Sequence, residues 1–133
     1  KILISVTSVF YKIYLTIWDI NSTVFFIKKV DKAIVHCTCS ASKMNLDKKF
    51  LEIAQRCANE VIVPVDITCC GFAGDKGFTT PELNDSALAP LKQQIPNDCT
   101  RGYSNSLTCE IGLTSHSGIF YRSIAYLVDE CTT

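Results

Sequence analysis

Short apolar runs alternate along this chain with stretches in which apolar positions recur every three or four residues. Ala33-Ile34-Val35 reads as a buried strand that ends in His36-Cys37-Thr38-Cys39-Ser40. Either Asn45 or Asp47 can cap a helix reaching to about Asn59, because Phe50, Leu51, Ala54, Cys57, Ala58 and Val61 fall at helical spacing. Val61-Ile62-Val63-Pro64-Val65 is expected as a second strand, ending just before Cys69-Cys70-Gly71. Gly71, Gly74 and Gly77 mark residues 71–80 as loop. Thr80-Pro81 with Glu82 is a helix start, and that helix is expected to stop before Pro96. A third segment around Gly102–Ser106 leads to Cys109. Residues 123–131 complete the pattern as a short helix with Ile124, Leu127 and Val128 on one face.

Alternation of strand and helix predicts an α/β fold, a mainly parallel sheet with flanking helices. The cysteine-bearing loops then gather at the carboxyl ends of the strands, where sites in such sheets form. Two regions are expected: an apolar N-terminal segment over residues 1–32 and a cysteine-rich domain over 33–133. Within the first, Ile2, Leu3, Ile4, Val6, Val9, Phe10, Ile13, Leu15, Ile17 and Trp18 make a strongly apolar run. Lys12 lies in its middle, and a charge at the bilayer centre costs roughly 2.5–3.5 kcal/mol. A buried or partner-covered segment is therefore expected there in preference to a membrane span. No small-residue cleavage site follows, as a signal peptide would need.

Composition narrows the function. With 47% apolar and 20% charged residues in 133, the chain can bury a core and is not disordered. Thirteen basic residues balance thirteen acidic ones. That leaves no electrostatic footprint for a nucleic-acid partner. A cytoplasmic location is expected, with any membrane association made through a partner.

The candidate chemistry sits in eight cysteines: Cys37, Cys39, Cys57, Cys69, Cys70, Cys99, Cys109 and Cys131. A disulfide framework is one reading, although a vicinal pair such as Cys69-Cys70 strains ordinary disulfide geometry. Structural zinc is a second, with the cysteine pairs closer together than the usual Cys-x₂₋₄-Cys knuckles. An iron–sulfur cluster is a third, since soft thiolates select it. Gly71 and Gly74, lacking side chains, would let backbone amides approach such a centre.

His36-Cys37-Thr38-Cys39, then Cys69-Cys70-Gly71, then Cys109 resembles the cysteine-rich "CCG" domain. That domain occurs in heterodisulfide reductase B subunits, glycolate oxidase iron–sulfur subunits and FAD-linked D-lactate dehydrogenases. Three strings are similar to the C-terminal part of the last group: Cys70 to Phe78, Pro81-Glu82-Leu83, and Gly102 to Leu113. The resemblance spans about residues 33–131. It implies a [4Fe–4S] cluster held by Cys39, Cys69, Cys70 and Cys109, with Cys37 and Cys99 in reserve. Cys39 is preferred to Cys37 because the family's cysteine lies three residues after the histidine. Ser106 stands where wider relatives carry another cysteine, so the five-cysteine centre of heterodisulfide reductase is not expected.

The resemblance also implies electron transfer from a flavin that oxidises D-lactate or a related 2-hydroxy acid. The FAD and its domain would lie upstream of Lys1 as the partner, and this chain alone would not be catalytic. The rival readings are a zinc-binding or metal-free docking module, and the remnant of a truncated gene. Cys57 is expected in the core, Cys131 inert after the last helix, His36 as a satisfied structural histidine, and His116 in a loop. Asp75 and Lys76 fit a solvated loop tip. No Ser–His–Asp set, P-loop or dinucleotide fingerprint appears.

Overall fold

In a computed structural model, residues 26–132 are described. The expected apolar run of residues 2–18 lies outside them, as does most of the 1–32 segment. Among the described residues, four strands and five helices alternate: β1 (Val30–Val35), α1 (Cys39–Lys43), α2 (Asp47–Cys57), β2 (Ala58–Ile62), α3 (Pro81–Leu88), β3 (Arg101–Ser104), α4 (Leu107–Ser117), β4 (Phe120–Ser123) and α5 (Ile124–Thr132). Short 3₁₀ turns at Lys76–Phe78 and Lys92–Gln94 flank α3. The sheet is all parallel in the order β2-β1-β3-β4, which is the α/β arrangement expected.

Each face of the sheet carries its own core. On one side Ala33, Val35 and Tyr103 pack with Phe50, Ile53, Ala54 and Cys57 of α2 and with Leu127, Val128 and Cys131 of α5. On the other, Ile34 and Tyr121 pack with Leu88 of α3, Leu113 of α4, and Cys70, Phe72, Cys99 and Cys109. Gly102 makes the second face possible: a Cβ there would collide with the Tyr121 ring beside it.

Several boundaries differ from the sequence reading. β1 starts at Val30, so the sheet takes in residues on the N-terminal side of position 33. Ile27 N–H also donates to the Cys131 carbonyl (2.8 Å). β2 begins directly at Ala58, where α2 ends, and stops at Ile62; Val63 and Val65 lie exposed beyond it. The parallel register pairs Val30 with Ala58 and Ile34 with Ile62, which carries the strand earlier than its apolar run suggests. Helix α4 and strand β4 fall where no element was expected. Gly118, at φ +81°, ends α4 in the left-handed conformation and turns the chain into β4. Among the described residues, no helix is long and apolar enough to cross a membrane.

Candidate functional site

Strand order reverses between β1 and β3. The chain leaves β1 to reach β2 on one side and returns past β1 to β3 and β4 on the other. Loops following β1 and β3 therefore diverge toward opposite faces and open a crevice at the carboxyl ends of these two strands. This is the switch point where open parallel sheets bind ligands.

Side chains and backbone clasp the crevice. His36 N–H donates to the Tyr103 carbonyl (2.9 Å), and Thr38 N–H donates to Asn105 Oδ1 (3.0 Å). Ser104 Oγ donates to the His36 carbonyl (2.9 Å) and stands 3.4 Å from His36 Nδ1. With its hydrogen committed to the carbonyl, Ser104 can only accept from His36, so Nδ1 carries the imidazole proton. Nε2 is then a bare acceptor, buried and without a partner. Burial pushes the His36 pKa down to about 4 and keeps the ring neutral. His36 is thus only half satisfied, not the fully satisfied histidine expected.

Four cysteines from three loops meet beside this clasp. Cys39 is the first residue of α1, after β1, with Thr38 as its N-cap. Cys109 lies in the first turn of α4, after β3. Cys69 and Cys70 come from the long loop after β2. Cys70 Sγ and Cys109 Sγ are 2.7 Å apart and both residues are buried. Cys39 is exposed and close enough to act on both Cys69 and Cys109.

The thiols differ in acidity. A hydrogen bond from Cys109 lowers the Cys70 pKa to about 6 against the opposing effect of burial, with the Phe72 amide assisting. Cys109 is held well above the usual thiol range by its bond to Cys70 and by burial. At Cys69 the Gly71 amide, 3.4 Å from Sγ, favours the thiolate, yet burial and the neighbouring Cys39 and Cys70 raise the pKa on balance.

The Cys70 loop is built to aim amides at sulfur. Gly71, Ala73 and Gly74 have φ of +72°, +47° and +76°, so the chain coils tightly. Gly71 also lies flat against α3, where a Cβ would overlap the Leu83 carbonyl. Gly74 faces open space and approaches nothing. The close packing of Gly71 is thus against α3, whereas Gly74 leaves open space beside the loop.

Asn84 holds the loop from below: its buried Nδ2 donates to the Cys70 carbonyl and packs against Gly112 of α4. Asn84, Ser104 and Asn105 were not singled out from the sequence. Only their short polar side chains inside apolar surroundings could have flagged them.

The two reserve cysteines lie elsewhere. Cys37 packs against the α2–α5 core and receives a weak contact from Ser42 Oγ (3.8 Å). Cys99 Sγ contacts the Arg101 carbonyl (3.8 Å) at the start of β3, the opposite end of the sheet. Cys57 is fully buried as expected. Cys131 lies inside α5, not after it, with Sγ 3.3 Å from the Cys57 carbonyl. His116 belongs to α4 rather than a loop, with Nδ1 2.9 Å from the Gly112 carbonyl and Nε2 2.8 Å from Asp85. Asp75 and Lys76 are exposed, as expected of a loop tip.

A cavity of about 310 Å³ lined by Lys29, Lys32, Asp98, Arg101 and Glu130 opens at the amino ends of the strands. It lies at the opposite end of the sheet from Cys39, Cys70 and Cys109, and within it Lys32 pairs with Asp98 and Arg101 with Glu130. Among the described residues, no group of three or more Cys, His, Asp or Glu side chains is placed so that it could hold a metal ion.

As a donor set, four thiols without a carboxylate suit a soft centre. The Cys70–Cys109 contact is too close to admit iron between the sulfurs, so ligation would part them. No protein-family model, curated protein or solved structure matches this chain.

Proposed function

We propose that this chain is an iron–sulfur electron-transfer domain that works with a flavin-bearing partner oxidising D-lactate or a related 2-hydroxy acid. The observation that carries the reading is the meeting of Cys39, Cys69, Cys70 and Cys109 at the crevice between β1 and β3. Those four thiols would hold the cluster, which supplies one-electron transfer when bound. The Gly71 and Phe72 amides beside Cys69 and Cys70 favour thiolate over thiol and so favour ligation. Asn84 fixes the backbone of the Cys70 loop, and the Thr38–Asn105 bond fixes the loop that carries Cys39. Cys39, the exposed member, faces the side from which a donor would approach.

Anaerobic reconstitution of the chain with iron and sulfide tests this. About four irons and four sulfides per folded chain are expected, with visible absorbance that dithionite bleaches. Cys70→Ser should remove the iron and keep the fold, because a hydroxyl is a harder and less readily ionised donor. Cys57→Ser should do the opposite: the buried hydroxyl costs roughly 1–3 kcal/mol while iron per folded chain stays constant. Uptake of zinc with no stable iron would replace the reading with a structural metal site. Equal iron loss in both variants at matched folded fraction would mean the ligands are misassigned.

A further inference from the structure

We propose that Cys70 and Cys109 form a reversible dithiol–disulfide pair that a hydroperoxide closes whenever the site holds no metal. The inference stands on the sulfur contact and shares the site, without resting on the electron-transfer reading. At 2.7 Å the two sulfurs are about 0.7 Å from disulfide bond length, so closure needs only a small movement of either loop. The two residues are 39 apart in sequence and come from different loops, so the bridge avoids the strained ring that Cys69-Cys70 would make.

Both sulfurs lie in the contact, and the attack is assigned to Cys70, at the head of the tightly coiled loop through Gly71, Ala73 and Gly74. Both sulfurs are nearly enclosed, which favours a small oxidant. Larger disulfides meet the exposed Cys39 first.

In the first step the Cys70 thiolate attacks one peroxide oxygen. The O–O bond breaks, hydroxide leaves, and Cys70 becomes a sulfenic acid. Next, the Cys109 sulfur attacks the Cys70 sulfur, the S–O bond breaks, and hydroxide departs with the Cys109 proton as water. Two thiols lose two electrons and one peroxide becomes two waters. An external dithiol reverses the step by exchange.

The test uses the full chain stripped of metal by a chelator under argon, then given one equivalent of hydrogen peroxide. Two of the eight thiols should disappear, and peptide mapping should place the bridge between Cys70 and Cys109, with dithiothreitol restoring both. Cys109→Ser should give no bridge and instead leave Cys70 as a sulfenic acid trapped by dimedone. Cys69→Ser should leave the bridge intact. A dominant Cys69–Cys70 or Cys39–Cys69 bridge in the unaltered chain, or loss of thiols with no internal bridge, overturns the proposal. Iron content is measured separately: a chain that forms this bridge but never loads iron sinks the cluster reading alone.

Discussion

At Gly71 a methyl group has nowhere to go. The residue combines a positive φ with a Cβ position that overlaps the Leu83 carbonyl, whereas Gly74 has the same φ and open space around it. Gly74→Ala should cost about 1 kcal/mol, the left-handed penalty alone. Gly71→Ala adds overpacking of roughly 1–3 kcal/mol to that and should displace Cys70. Paired thermal melts and iron content separate the two. Similar losses at both positions would show that α3 yields easily. His36 offers a pH readout. Its folded pKa is near 4 against 6.5 for the ordinary residue, so the unfolded chain takes up the proton first as pH falls. Stability is full above about pH 6.5 and declines toward pH 4, by about 3 kcal/mol at most for this one group. His36→Gln should flatten that window in denaturant titrations, while acid losses from the ion-paired Asp98 and Glu130 remain. An unchanged slope would mean the ring is hydrated in solution.

Among the elements, the clasp between the loops after β1 and β3 depends on one amide acceptor. Asn105→Ala leaves the partly buried Thr38 N–H without its partner and should cost about 1 kcal/mol. Because Thr38 caps the helix that begins at Cys39, the same change should raise the alkylation rate of Cys39 more than that of Cys57. The cysteine loops were legible from the chain because strand–helix alternation fixes which ends of a parallel sheet converge. Helix α4 was not. Leu107 and Ile111 face solvent while Cys109, Gly112 and Leu113 face inward, and two threonines and two serines break the helical period. Gly112 sits mid-helix only because Asn84 and Phe72 occupy the space of a side chain. Strand β2 misled for another reason: its apolar residues Val63 and Val65 stick out past the pairing, while exposed Asn59 and Glu60 lie within it. Pairing register overrode the apolar run.

Considered as one molecule, the sheet joins two strand–helix–strand units, β1 to β2 and β3 to β4, at the β1–β3 seam. Its all-parallel pairing has a kinetic consequence. Parallel neighbours cannot meet through a tight turn, so each pairing must first close a loop, and the entropy of closure rises with loop length. The β3–β4 unit spans residues 101–123, whereas the seam joins His36 to Tyr103. The transition state should therefore contain the β3–α4–β4 unit already formed, with the seam zipping afterwards. Thr114 Oγ1 accepts from the Tyr121 N–H (2.9 Å) inside that unit, so Thr114→Val should slow refolding and leave unfolding nearly unchanged. Asn105→Ala, at the seam, should accelerate unfolding and leave refolding nearly unchanged. Stopped-flow chevrons of both variants read this directly, and the opposite assignment of the two limbs would place nucleation at the seam. A late-forming seam also sets the order of maturation: Cys109, carried by the β3–β4 unit, meets Cys39 on the loop after β1 only once the seam has closed.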